Sequence, residues 1–139
     1  MNPLPPDSPD AMARVLAMFA VADRQLNPEE IETLEQLDAF ARIGVTRERF
    51  LLVAGGFSMS LGGPHGWMRL SDLQLVDRLL AEVREPGNRI TVARLAAAVI
   101  TANGRVDETE RIVFDQMLNR WGLTRNRIAL AIREDRATA

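Results

Sequence analysis

Apolar residues recur along most of this chain at intervals of three and four positions, which is the period of an amphipathic α-helix. The first such stretch places Met12, Val15, Leu16 and Phe19 on one face. No stretch alternates apolar and polar residues for long enough to predict a β-strand. The pattern therefore predicts an all-α fold of about seven helices. The other six apolar faces comprise Ile31, Leu34, Leu37 and Phe40; Phe50, Ala54, Phe57 and Leu61; Leu73, Val76, Leu79, Leu80 and Val83; Val92, Leu95, Ala96, Val99 and Ile100; Val113, Phe114, Met117, Leu118 and Trp121; and Ile128, Ala131 and Ile132.

Capping residues mark where these helices begin. Ser8 followed by Pro9 is typical of a helix start, because a serine side chain accepts a hydrogen bond from a backbone N–H and proline fits the first helical position. Asn27, Pro28 and Glu30 have the spacing of a capping box. The remaining predicted starts are Thr46, Ser71, either Asn88 or Thr91, Asp107, and Thr124.

Two segments of the chain carry the same turn signal. Residues 22–30 and 102–110 align eighty positions apart, so that Asp23 corresponds to Asn103. Short polar side chains tolerate the turn that ends a helix, and the apolar residue before each cap is placed to pack against the following helix. The alignment predicts two helix-turn-helix units.

Each unit continues through an amphipathic helix to a glycine and then a threonine. These are Gly44 and Thr46 in the first copy and Gly122 and Thr124 in the second, now seventy-eight positions apart, so the first copy is two residues longer. Glycine at this place is typical of a helix that ends in the left-handed conformation. We therefore expect a third helix in each copy, with a central helix joining the two copies.

Segment 102–110, Ala-Asn-Gly-Arg-Val-Asp-Glu-Thr-Glu, resembles the Ala-Asp-Gly-x-Ile/Val-x-x-x-Glu pattern of the TerB-like family. That family includes tellurite-resistance proteins and the N-terminal region of a membrane-anchored J-domain co-chaperone. Asn103 replaces the aspartate of the pattern, and in the first copy Arg24 and Leu26 replace its glycine and its isoleucine or valine. The resemblance covers most of the chain, from Met12 to Ile132. It implies an all-helical, non-enzymatic module for stress response or scaffolding, and acidic metal-binding sites are associated with some members.

The predicted organisation is a disordered segment over residues 1–8 followed by a single TerB-like helical domain over residues 9–135. Within the domain, repeat one covers residues 9–61 and repeat two covers residues 88–135. A linker loop and helix over residues 62–86 connects them, and the loop is marked by its glycines and a proline.

Composition removes several classes of function. The 139 residues include no cysteine, which excludes disulfides, thiolate metal ligands and cysteine nucleophiles. The formal net charge is −2, which disfavours binding to nucleic acid. The N-terminal residues lack a signal-peptide pattern, and no apolar run approaches the roughly 20 residues that span a bilayer. We therefore expect a cytoplasmic protein without membrane insertion.

Four carboxylates of the duplicated turns are candidate metal ligands: Asp23, Glu30, Asp107 and Glu110. Ca²⁺ takes about six to eight oxygen ligands, so these side chains together with backbone carbonyls are a candidate site for Ca²⁺ or another divalent cation. The alternative is that Glu30 and Glu110 only close capping boxes and Asp107 only caps its helix. An EF-hand is excluded, because neither turn has glycine and glutamate at the required loop positions.

His65 is the only histidine, and it defines the one enzymatic alternative. It could act as a general base if a carboxylate oriented it. A solvated histidine in the glycine-rich loop 62–66 is the alternative interpretation. No serine lies in a nucleophile-elbow pattern, so we expect no enzyme activity.

The charged residues are distributed unevenly and bear on partners. Their asymmetry permits a protein partner or self-association, although solvated faces are the alternative. The acidic second helix carries Glu29, Glu30, Glu32, Glu35 and Asp38, and the basic C-terminal part carries Arg120, Arg125, Arg127, Arg133 and Arg136.

Overall fold

The computed structural model of the protein describes residues 5–20, 28–60, 70–101 and 108–138. These residues form eight α-helices and no β-strand, so the all-α prediction is confirmed. None of the helices in these four ranges is long and apolar enough to cross a membrane. The helices are α1 (Pro9–Ala20), α2 (Pro28–Gln36), α3 (Ala39–Ile43), α4 (Arg47–Ser60), α5 (Leu70–Ala81), α6 (Pro86–Thr101), α7 (Glu108–Trp121) and α8 (Arg125–Thr138).

The structure has one helix more than predicted because the second helix of repeat one is broken. Leu37 and Asp38 form a turn between α2 and α3, and Asp38 has a left-handed φ of 56°. Aspartate is among the few residues that visit this conformation routinely. The equivalent part of repeat two is the single helix α7. The broken segment is the part of repeat one that is two residues longer than its counterpart, and the turn accommodates this extra length.

Two helix starts differ from the sequence prediction. Helix α5 begins at Leu70, so Ser71 lies inside the helix and is not its N-cap. Helix α6 begins at Pro86, before both predicted starts, Asn88 and Thr91. A proline is well suited to the first helical position because its missing N–H would have no partner there. Helix α6 therefore starts two residues before Asn88.

The remaining threonine caps form as predicted. Thr46 Oγ1 accepts a hydrogen bond from the backbone N–H of Arg49, and Thr124 Oγ1 accepts one from Arg127, each at 3.1 Å. Ser8 Oγ likewise accepts the N–H of Ala11 at 3.2 Å. Each cap satisfies a backbone donor that the helix itself leaves without a partner.

The predicted glycine ends are also confirmed. Gly44 and Gly122 have φ values of 83° and 67°, in the left-handed region. In both copies the residue after the glycine donates its N–H to the carbonyl five positions earlier, at 2.9 and 2.8 Å. This is the Schellman arrangement, which satisfies the last carbonyls of the helix.

The first helices of the two repeats, α1 and α6, lie at the centre of the fold. Helix α1 contacts α4, α5 and α6, and helix α6 also contacts α2, α7 and α8. Every described side chain of α1 from Ala11 to Phe19 except Arg14 is buried. The ring of Phe19 meets that of Phe114 edge-on, with centroids 6.1 Å apart. One hydrophobic core therefore joins both repeats.

Asp7 ties the N-terminal segment to the start of repeat two. Its Oδ1 accepts hydrogen bonds from the backbone N–H groups of Arg84 (2.9 Å) and Glu85 (3.0 Å) and from Nδ2 of Asn88 (3.2 Å). Desolvation raises the pKa of Asp7, but these hydrogen bonds outweigh it and hold the pKa below its usual value. Asp7 lies in the segment that the sequence assigns to disorder, and these hydrogen bonds connect it to the loop before α6 and to the first turn of α6.

Candidate functional sites

Two buried glutamates occupy equivalent positions in the repeats. Glu30 is the third residue of α2 and Glu110 the third residue of α7, and their exposed fractions are 1% and 2%. They are the buried charged side chains among the residues that the structure describes. Glutamate is almost never buried so completely unless it is paired, hydrogen-bonded or bound to a metal. Their shared burial makes these two carboxylates the most constrained polar groups of the duplicated turns.

The other predicted site residues lie outside the described residues. Asp23 and Asp107 fall in the ranges 21–27 and 102–107, and His65 falls in 61–69. Within the described ranges, no three acidic or histidine side chains are grouped closely enough to hold a metal ion. The four-carboxylate cation site and a role for His65 therefore stay predictions.

A salt bridge recurs at equivalent positions in the two repeats. In repeat one, Nε of Arg47 at the start of α4 pairs with Oε1 of Glu35 on α2. In repeat two, Arg125 at the start of α8 pairs with Asp115 on α7, through Nε at 3.1 Å and Nη2 at 2.5 Å, both to Oδ1. Each pair joins the helix after the duplicated turn, α2 or α7, to the helix after the threonine cap, α4 or α8.

The cleft of repeat one is small and carries negative charge. It lies between α2 and α4, with a volume of about 230 Å³. Leu51 and Ile31 line its apolar part, and Glu32 and Glu35 contribute two carboxylates against the single guanidinium of Arg47.

The cleft of repeat two is larger and mostly apolar. It lies between the end of α6 and the helices α7 and α8, with a volume of about 400 Å³. Two arginines stand beside an apolar lining. The lining includes Ile100, Arg111, Phe114, Arg125, Ile128 and Ala129.

Substitutions at equivalent positions explain the difference between the clefts. Ala129 stands where repeat one has Leu51, so a larger side chain is replaced by a methyl group. Arg111 stands where repeat one has Ile31, which adds a positive charge. The position of Glu32 becomes Ile112 in repeat two, which removes a negative charge.

The predicted charged faces are partly retained at the surface. On α2, Glu29, Glu32 and Glu35 are exposed, whereas Glu30 is buried and does not belong to the acidic surface. Four of the five predicted basic residues are described as exposed: Arg120, Arg125, Arg127 and Arg133.

Sequence reasoning missed the cleft of repeat two. The signal was present, because the same alignment that pairs Thr46 with Thr124 also pairs Leu51 with Ala129. A change from a large to a small apolar residue at equivalent positions indicates space that only one copy has.

Comparison with known proteins finds no matching family model, no matching curated protein and no matching solved structure. The resemblance to the TerB-like family therefore rests on the turn motifs of the sequence.

Proposed function

We propose that this chain is a non-enzymatic helical module of the TerB-like type that acts by binding a protein partner. The observation that carries the proposal is a pair of exposed leucines at equivalent positions. Leu52 on α4 is 69% exposed and Leu130 on α8 is 50% exposed. A single exposed leucine is ordinary on a protein surface. Recurrence of the feature in both copies is what favours a contact surface.

The surroundings of the two leucines support this proposal. One helical turn to either side of Leu52 lie the exposed residues Glu48 and Gly55, and Asn126 and Arg133 take the same places around Leu130. Three of these four neighbours, all but Gly55, are polar or charged, and an apolar centre beside polar residues is the ordinary anatomy of a protein interface.

The test is affinity capture from cells with the wild-type chain and with the double variant Leu52→Gln, Leu130→Gln. We expect at least one protein retained by the wild type to be lost from the double variant, because both apolar centres are removed. The exposed Asn119→Ala on α7 serves as the matched control and should retain it. A set of captured proteins that is the same for all three chains would contradict the proposal, and equal thermal unfolding temperatures exclude a folding defect.

A role in stress response is the cellular form of the proposal, and it is supported by the turn motif alone. Expression of the chain in a tellurite-sensitive bacterium tests it. Raised survival on tellurite that depends on Leu52 and Leu130 is the expected result. Unchanged survival, with the protein present at normal levels, would contradict it.

Divalent-cation binding at the duplicated turns is the second candidate, favoured by the equivalent burial of Glu30 and Glu110. We expect calorimetric titration with Ca²⁺ to give saturable binding in the weak range of about 10⁻⁴–10⁻³ M. Glu30→Gln should weaken it more than Glu110→Gln, because the first turn has Asp23 where the second has Asn103.

The exposed neighbour Glu29→Gln is the control for this experiment and should bind Ca²⁺ as the wild type does. Absence of both heat and thermal shift at millimolar Ca²⁺ would remove the cation proposal and leave the protein-binding proposal intact.

A further inference from the structure

We propose that the cleft between α6, α7 and α8 is a binding site for an alkyl chain with one anionic head group, of the class of a medium-chain fatty acid. This site is separate from the exposed leucines, and the inference does not depend on the protein-binding function. It rests on the shape, lining and charge of the cleft in repeat two and on its contrast with the cleft in repeat one.

The interior of the cleft suits an alkyl chain. Ile100, Phe114 and Ile128 are almost fully buried residues of the core that form its floor, and Ile132 extends the apolar lining along α8. The volume of about 400 Å³ falls within the range of about 300–1,000 Å³ typical of small-molecule sites. An apolar lining of this size gains free energy with each methylene that it removes from water.

The mouth of the cleft suits a carboxylate. Both hydrogen bonds that Arg125 makes with Asp115 go to the single oxygen Oδ1, through Nε and Nη2. The pairing with Asp115 therefore does not use Nη1 of the guanidinium. Arg111 has a long contact of 4.0 Å with the exposed Glu108, which a ligand can replace. Guanidinium groups bind carboxylates with paired, charge-assisted hydrogen bonds.

Repeat one provides an internal control for this assignment. In its equivalent cleft, Leu51 takes the place of Ala129 and fills space. Ile31 takes the place of Arg111 and offers no charge. Glu32 adds a carboxylate that would repel an anion. We therefore expect the cleft of repeat two to bind an anionic amphiphile and the cleft of repeat one not to bind it, although both are built on the same backbone frame.

Calorimetric titration of the full chain with sodium decanoate tests the proposal. We expect one saturable site in the wild type and none in Ala129→Leu, which gives repeat two the side chain of repeat one. Arg111→Ile should weaken decanoate binding about tenfold or more, the loss expected for one charge-assisted hydrogen bond of at least about 1.5 kcal/mol. Arg47→Gln, in the other cleft, is the control and should bind as the wild type does.

Two series of ligands distinguish the contribution of the alkyl tail to binding from that of the carboxylate head group. Hexanoate, octanoate and decanoate should bind with affinities that rise about fourfold per methylene, which corresponds to about 0.8 kcal/mol each. Decanol, which has the tail without the charge, should bind at least tenfold more weakly than decanoate and should be insensitive to Arg111→Ile. Equal affinity for decanol and decanoate would overturn the assignment of the head group.

Equal binding of decanoate by the wild type and Ala129→Leu would overturn the site itself. Position 129 is exposed at the rim of the cleft, so the larger side chain should be accommodated without unfolding the domain. Arg111→Ile provides an independent second variant. Capture of a protein partner through Leu130 should persist in both variants, so failure of this proposal leaves the proposed function standing.

Discussion

In repeat one, Arg47 at the start of α4 pairs with Glu35 on α2, and in repeat two Arg125 at the start of α8 pairs with Asp115 on α7. The frame around these pairs is the same in both copies, with a glycine in the left-handed conformation followed by a threonine cap. What differs is the cleft that each frame encloses. It is narrow and acidic in repeat one and wide and apolar in repeat two.

The comparison separates two kinds of constraint. Caps and helix ends are fixed by backbone groups that need hydrogen-bond partners, and these requirements are the same in any copy. The side chains that line a cleft face no such requirement, so they can diverge without loss of the fold. Cleft positions that differ between the copies, such as Leu51 and Ala129, therefore indicate what distinguishes the two clefts.

The largest expected difference between the repeats concerns how the second helix ends. Trp121 is buried and its Nε1 donates to the carbonyl oxygen of Leu80 at 3.0 Å, whereas its counterpart in repeat one is the aliphatic Ile43. Trp121→Ala should lower the free energy of unfolding by about 4 kcal/mol and Ile43→Ala by about 3 kcal/mol, since the first removes a larger buried side chain and also its hydrogen bond to Leu80, whose carbonyl still accepts the N–H of Val83. Urea denaturation measures both. A larger loss for Ile43→Ala would break the comparison.

The next largest difference in stability is expected between substitutions of the two glycines that end helices, Gly44 and Gly122. An alanine at Gly122 is strained only by its positive φ, which costs about 1 kcal/mol. An alanine at Gly44 carries the same strain, and its Cβ would also lie 3.3 Å from Cγ of Pro9. We expect Gly44→Ala to lower the unfolding temperature more than Gly122→Ala. Equal effects would show that Pro9 moves aside at little cost, and the reverse order would contradict the expectation.

The threonine caps should respond equally. Thr46→Ala and Thr124→Ala each remove one side-chain hydrogen bond to a backbone N–H of the same length, 3.1 Å. Each should cost about 1 kcal/mol in the free energy of unfolding. The two variants should have closely similar unfolding temperatures and urea midpoints. A loss of stability in only one of them would contradict a backbone frame shared by the two repeats.

The smallest expected effect is a change in stability at acid pH, and it concerns repeat one only. The hydrogen bonds from Arg49 hold the pKa of Asp10 below its usual value of 3.8, through contacts at 3.0 and 2.5 Å. Because the folded-state pKa is lowered, the contribution of Asp10 to stability is present above the unfolded pKa and is lost as pH falls through the folded value.

Asp10→Asn should therefore lower stability at neutral pH and flatten the loss of stability below about pH 4. Unfolding temperatures measured across the acid range test this expectation. A variant with the same acid slope as the wild type would assign that slope to other carboxylates, Asp7 among them.

Much of the fold follows from local signals in the sequence. The apolar period, the threonine caps and the glycines at 44 and 122 depend on neighbours three to five positions away, which the sequence shows directly. The turn at Asp38 was missed because the apolar period from Ile31 to Phe40 continues across it. Only the unequal length of the two copies hinted that a helix had to break there.

The contacts of Asp7 and the cleft of repeat two lay beyond such signals. Asp7 meets residues more than seventy positions away, and nothing in the local sequence marks that partnership. The volume of the cleft depends on how three helices pack, although the pairing of Leu51 with Ala129 carried part of the information. The burial of Glu30 and Glu110 was likewise invisible, because a capping-box spacing does not show how deeply the side chain lies.

The central claim is that the two repeats share one backbone frame but enclose different clefts. Its most direct test is a backbone amide NMR titration of the full chain with decanoate. The account predicts saturable shift changes concentrated at the end of α6 and on the facing parts of α7 and α8, around Arg111 and Ala129. The amides around Ile31 and Leu51 should stay unchanged. Equal shifts in both clefts, or none that saturate in either, would contradict it.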